Sequence, residues 1–258
     1  MKAMKRMEGH RVAVLIAIGI GLSWGCAVSE ATRPKADNKN RQSVAGVTTP
    51  FGEVVRGPKG KSEIAITFDA GANAECFDDL IAALAAAHVH STFFITGNFA
   101  QRHETCAKAI TKYGHELGNH TWNHADLTKQ TDEIVREEIT RAEALLTDIS
   151  GQSPRPRLRA PFGERNERVL RIAANLGYRS IYWTLDSLDS VEPRKSTEFL
   201  INRVTGKSDA ELDGAIILMH VGEKSTADAL PAIIANLQGR GFQLVTVSKL
   251  LEADSKRH

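Results

Sequence analysis

Two apolar periods take turns along this chain. From about residue 60, short β-prone runs are separated by stretches with helical spacing. Residues 64–68 and 92–95 predict strands. Between them Leu80, Ile81, Leu84 and Ala85 recur at helical intervals over 78–87. Residues 104–113 predict a helix that stops at Gly114. A longer helix is expected from Thr131 to Ile149. Thr131 can cap it, Asp132 and Glu133 suit its first turn, and Gly151 ends it. Its buried stripe reads Ile134, Val135, Ile139, Ala142, Leu145, Leu146 and Ile149. Strands are then expected at 157–159, 180–183, 215–219 and 243–247, with helices at 165–176, 197–204 and 226–237.

Strands that alternate with helices imply parallel pairing with helices outside. The count points to an α/β fold, an irregular (β/α) barrel of about seven parallel strands, ahead of a doubly wound open sheet. In either, functional groups belong at the C-terminal ends of the strands.

The first sixty residues differ. Lys2, Lys5, Arg6 and Arg11 precede an apolar run over 12–22, about half the length of a membrane span. This is the layout of an export signal, expected over 1–29, with a small-x-small site at Ala27-Val28-Ser29. Cys26 offers a secondary expectation, a lipid anchor. Residues 30–58 read as a flexible linker and 59–258 as the folded domain. The protein is thus expected outside the cytoplasm, periplasmic or extracellular. In such a compartment Cys76 and Cys106 would be expected to bridge.

Composition narrows the function only by exclusion. A formal charge of +2 over 258 residues, with no basic stripe and no zinc-finger spacing, argues against a nucleic-acid partner. No protein partner is indicated.

Chemistry-bearing residues cluster at the predicted strand ends. Asp69 follows 64–68 on a glycine turn. His120 and His124 are spaced so that two imidazoles can meet one ion, on a helical turn or a strand-end loop. Thr121 stands where the zinc-protease motif needs Glu, which excludes that class. His115 nearby reads as structural. Arg159 ends a strand and can hold a carboxylate. Pro161 lacks an N–H, so Phe162 offers the next backbone donor, as an oxyanion requires. Asp186 and His220 each end a strand, and a pairing between them would keep the imidazole protonated as an acid.

In this order the residues resemble the polysaccharide deacetylases of the NodB homology domain, carbohydrate esterase family 4. The resemblance spans residues 61–251. It rests on Thr67-Phe68-Asp69-Ala70-Gly71, on residues 114–124 through His120-Thr121-Trp122-Asn123-His124, on Arg159-Ala160-Pro161-Phe162-Gly163, on Asp186-Ser187-Leu188-Asp189, and on Leu218-Met219-His220. It implies a hydrolase that removes N-acetyl groups from a glycan such as peptidoglycan, a chitin oligomer or an exopolysaccharide. Asp69 would be the general base and Arg159 its orienter. His120 and His124 would bind a divalent metal, zinc first, with cobalt or nickel as alternatives. The Phe162 N–H would stabilise the oxyanion, and Leu218 would line the acetyl pocket. His220 would be the acid, tuned by Asp186. Two departures stand out. Ala70 replaces a second Asp that ligates the metal in the family. Ser190 replaces a Trp after the fourth motif, leaving a groove wall open or built by Trp122 or Trp183. The alternatives are a NodB-like glycan-binding protein without turnover, or a barrel amidase acting on another acyl group.

Overall fold

The computed structural model describes residues 52–71 and 73–252. The export signal, Cys26 and most of the expected linker lie outside the described residues.

In chain order the strands are β1 (Glu63–Ala70), β2 (Thr92–Ile95), β3 (Glu116–Asn119), β4 (Arg157–Leu158), β5 (Arg179–Ser180), β6 (Leu185–Asp186), β7 (Ile216–His220) and β8 (Gln243–Leu244). The helices are α1 (Phe77–Ala86), α2 (Gly97–Arg102), α3 (Glu104–Lys112), α4 (Asp132–Ser150), α5 (Glu167–Asn175), α6 (Thr197–Thr205), α7 (Asp209–Leu212), α8 (Lys224–Gly239) and α9 (Val247–Leu250). Seven strands pair in parallel in the order β5-β4-β3-β2-β1-β7-β6, and β8 pairs with the start of β1. The sheet curls into a half-barrel. β5 and β6 occupy its opposite edges, yet only four residues lie between them. Five Cα steps reach about 17 Å at full extension, so the edges must curl toward each other.

That connection corrects the expected strand at 180–183. Residues 181–184 cross between the edges instead: Ile181 bridges to Val54, and the Thr184 N–H donates to the Ile216 carbonyl at 2.8 Å. The crossing puts Tyr182 and Trp183 where a continuous strand would not. The last expected strand, 243–247, is likewise cut short, because Thr246 caps α9 by accepting from the Lys249 N–H.

The domain begins earlier than residue 59. Val54 is buried, its N–H donates to Ser180, and Gly57 donates to Gly214, so these residues belong to the barrel and not to a linker. Cys76 and Cys106 are free thiols, which overturns the expected bridge; Cys76 precedes α1, and Cys106 rides on α3.

Strand alternation sorts β1 into two faces. Ile64, Ile66, Phe68 and Ala70 pack into a large core with α1, α3, α6 and α8. Ala65 joins a second cluster with Phe94 and Ile216, and Thr67 and Asp69 follow on the same face of the strand. Burial of this many aliphatic side chains, at roughly 1.5–3 kcal/mol each, is the main force holding the strand ends in place. α4 follows the expected pattern, capped by Thr131 and stopped at Gly151 in the left-handed region (φ 70°). Ile134 is the exception in its stripe, being exposed.

Candidate active site

Parallel register brings five strand ends to one rim. Asp69 on β1 is the register partner of His220 on β7, and Asp186 on β6 is the partner of Leu218. β3 ends at Asn119, directly before His120. The Arg159 N–H, one residue past β4, donates to the Asn119 carbonyl at 2.9 Å. A cleft of about 580 Å³ opens here, lined by Asp69, His120, His124, Phe162, Leu218 and His220, with Trp183, Asp186, Ser190 and Glu223 along its walls.

Asp69 and Arg159 are both buried and form an ion pair at 2.7 Å through Asp69 Oδ1. Arg159 is held on every side. It donates to Thr67 Oγ1 at 2.8 Å and to the Ile181 carbonyl at 3.1 Å, and its guanidinium lies 4.1 Å from the Phe94 ring centroid. With Oδ1 occupied, Asp69 Oδ2 is left 3.5 Å from His120 Nε2.

The tautomer of His120 follows from its partner. Nδ1 lies 2.9 Å from the Arg159 carbonyl, which can only accept, so Nδ1 carries the proton and Nε2 presents its lone pair. His124 Nε2 is 3.1 Å from that Nε2. Burial lowers the pKa of both rings, His124 to about 4, so both are neutral near pH 7, the form that ligates a metal. Two imidazole nitrogens about 3.3 Å apart form one edge of a tetrahedral zinc shell. The donor chemistry therefore fits a divalent ion at two positions, with Asp69 Oδ2 beside them. Among the described residues no set of three or more His, Cys, Asp or Glu side chains forms a fuller shell. Ala70 adds nothing, since it packs with the helix-facing core on the other side of β1.

His220 is paired, but with Asp189 and not with Asp186. Asp189 Oδ1 lies 2.7 Å from His220 Nδ1, and Oδ2 accepts the His220 N–H at 2.8 Å and the Thr226 hydroxyl at 2.6 Å. Asp186 instead spends Oδ1 on the Leu188 N–H at 2.8 Å, closing the turn that carries Asp189 inward. Leu188 sits in that turn at φ 65°. Burial opposes a charge on His220, but the Asp189 hydrogen bond, with the Asp189, Asp69 and Asp186 charges, outweighs it and raises the pKa above 6.5.

Phe162 has φ 59° inside a tight turn closed by Gly163 N–H to Ala160 and Glu164 N–H to Pro161. Its ring is exposed and edge-on to His124 at 4.6 Å. Trp183 lines the cleft and stacks on Tyr182 at 3.9 Å, so it supplies the wall that Ser190 leaves out. Trp122 does not: it is buried under Arg141 and against Gly97.

Three residues of this machinery escaped sequence reasoning as individuals. Asp189 was visible only as the end of the fourth motif. Thr226 gave no signal. Glu138 is buried and holds the His120–His124 loop, and it did leave a trace, a charged residue on the apolar stripe of α4.

A curled parallel half-barrel with Asp, two His, Arg and a His–Asp pair at its rim defines a deacetylase-like hydrolase site. A family model described as polysaccharide deacetylase matches residues 56–181. The chain is 29% identical to a peptidoglycan-N-acetylglucosamine deacetylase of Bacillus cereus over 86% of its own length and 80% of the relative's. A solved peptidoglycan N-acetylglucosamine deacetylase superposes with a TM-score of 0.72 at 30% identity, covering 79% of this chain and 94% of that one. A carbohydrate esterase family 4 pseudoenzyme from Bacillus anthracis superposes with a TM-score of 0.73 at 25% identity, covering 79% and 70%. The chain belongs to the polysaccharide deacetylase family, the NodB domain of carbohydrate esterase family 4.

Proposed function

We propose that this glycan N-deacetylase is exported, acts on an N-acetylated glycan and depends on a divalent metal held by His120 and His124. The observation that carries the metal is the pair of facing Nε2 atoms at 3.1 Å, one of them fixed as a lone pair by the Arg159 carbonyl. A bound ion would supply Lewis-acid chemistry to the reacting amide.

The chain's own residues supply the rest. Arg159 occupies Asp69 Oδ1 and leaves Oδ2 to take the proton of the attacking water. The Phe162 N–H, held rigid by Pro161 and the turn, donates to the oxyanion. His220, kept protonated by Asp189, gives its proton to the leaving amine. Leu218 presents an apolar surface for the acetyl methyl. Water and the amide become acetate and a glycan amine.

Acetate release from N-acetylglucosamine oligomers and from peptidoglycan tests this, measured with zinc or cobalt added and after chelation. No release from any acetylated glycan would sink it, and release indifferent to chelation would remove the metal. Export belongs to the same proposal and is tested by cell fractionation, with intact-mass measurement for a lipid at Cys26.

One observation favours a second reading, a glycan-binding protein without turnover. Ala70 contributes no ligand to the site. Glycan affinity unchanged by His120→Ala, with no metal bound, would select that reading.

A further inference from the structure

Helix α4 carries one buried residue that its apolar stripe does not explain. Glu138 lies on the face it shares with Val135, Ile139 and Ala142 and is only 6% exposed. A buried carboxylate persists only when its oxygens are hydrogen-bonded. Both Glu138 oxygens accept from the two residues between Thr121 and His124. The Trp122 N–H and the Asn123 N–H donate to Oε2 at 3.0 and 2.8 Å, and Asn123 Nδ2 donates to Oε1 at 3.0 Å.

That segment needs holding. Thr121 and His124 flank it with φ of 69° and 61°, in the left-handed region that L side chains rarely adopt. Such conformations last only where the surroundings over-determine them. Asn119 Oδ1 fixes the first by accepting the Thr121 N–H at 2.8 Å. For the second, the charged partner is Glu138, and bonds to a carboxylate are roughly twice as strong as neutral ones.

We propose that Glu138 is a positioning residue for the metal site. It holds the 120–124 loop in the shape that turns His124 Nε2 toward His120 Nε2, and so sets the affinity for a divalent ion. The inference rests on the metal-dependent reading above. Glu138 acts through the backbone and touches neither ion nor substrate.

Cobalt titration tests it, followed by visible absorption and calorimetry, on the wild-type chain, Glu138→Gln, Glu138→Ala and the exposed control Glu137→Gln. Glutamine keeps the size but offers one acceptor oxygen for bonds that now use two. Cobalt affinity is expected to fall about 10- to 100-fold in Glu138→Gln, the usual cost of losing support behind a ligand, and further in Glu138→Ala. The control should stay within about twofold by the same standard. In the metal-free protein, amide exchange at Trp122 and Asn123 should quicken in Glu138→Gln.

A merely structural Glu138 would lower the melting temperature and leave both readouts unchanged in the folded variant, which overturns the proposal. Should Glu138→Ala fail to fold, Glu138→Gln decides alone. A wild-type chain that binds no cobalt overturns the metal reading and this inference with it. Tight wild-type binding with equal binding by Glu138→Gln overturns this inference only.

Discussion

His115 and His120 stand just outside the two ends of β3, five residues apart and almost equally buried. At the N-terminal end, His115 Nδ1 accepts the Ser91 N–H at 3.3 Å, and its ring lies 5.3 Å from that of Phe93. Its Nε2 has no partner among the described residues. At the C-terminal end, His120 Nδ1 is bound to the Arg159 carbonyl, and Nε2 faces His124 and Asp69. Burial lowers both pKa values, His115 to about 4. The environment that silences one ring prepares the other. What separates them is convergence: five strand ends bring donors to His120, and none brings them to His115.

The comparison breaks most sharply if the rim is not the chemical end. Asp69→Asn is expected to reduce kcat/KM for acetate release by about 10²- to 10⁴-fold, the usual contribution of a general base, with an unchanged fold by circular dichroism. His120→Ala should lose the bound metal by elemental analysis and the activity with it, while His115→Asn should keep both. A His115→Asn variant as inactive as His120→Ala would erase the contrast.

The third prediction concerns His220. Asp189→Asn removes a charged hydrogen bond worth about 1.5–3 kcal/mol, so kcat should fall roughly 10- to 150-fold. Losing the carboxylate also lowers the His220 pKa, so the high-pH limb of the activity profile should move to lower pH. Asp186→Asn should do both less, since Asp186 bonds the turn and reaches the imidazole only through its charge. Equal pH shifts in both variants would return Asp186 to the role first expected of it.

The smallest effect is on stability. His115 in the unfolded chain takes a proton near its ordinary 6.5, whereas in the folded chain it does so near 4. Below 6.5 the unfolded state binds more protons, so stability is lost as pH falls from 6.5 through 4. Asparagine places an amide oxygen where Nδ1 accepts from Ser91. The melting temperature of His115→Asn should therefore fall less over that interval than that of the wild type. Identical slopes would show that His115 is not a source of the acid loss.

Much of this contrast is legible in the sequence. The period switch predicted alternating strands and helices, and Asp69 and His220 each follow an apolar run, which places them at strand ends. The elements that escaped were those whose local pattern is weak. β3 is Glu-Leu-Gly-Asn, too short and too polar to show a period. It is a strand because it pairs in parallel with β2 and β4, and Gly118 leaves the Phe94 ring the space a Cβ would take. The 180–183 run looked like one strand because side-chain pattern carries no information about which sheet edge a residue meets.

By itself the sequence determined the fold class and the rim on which the chemistry sits, since parallel strands with helical crossovers admit few arrangements. Only the tertiary structure decided the partnerships. It paired His220 with Asp189, built the cleft wall from Trp183 and anchored the histidine loop on Glu138, 14 residues beyond His124. It also left Cys76 and Cys106 apart as free thiols. The reason is physical: periodicity reports which face a residue is buried on, whereas a hydrogen bond depends on distance and direction between segments that only packing brings together.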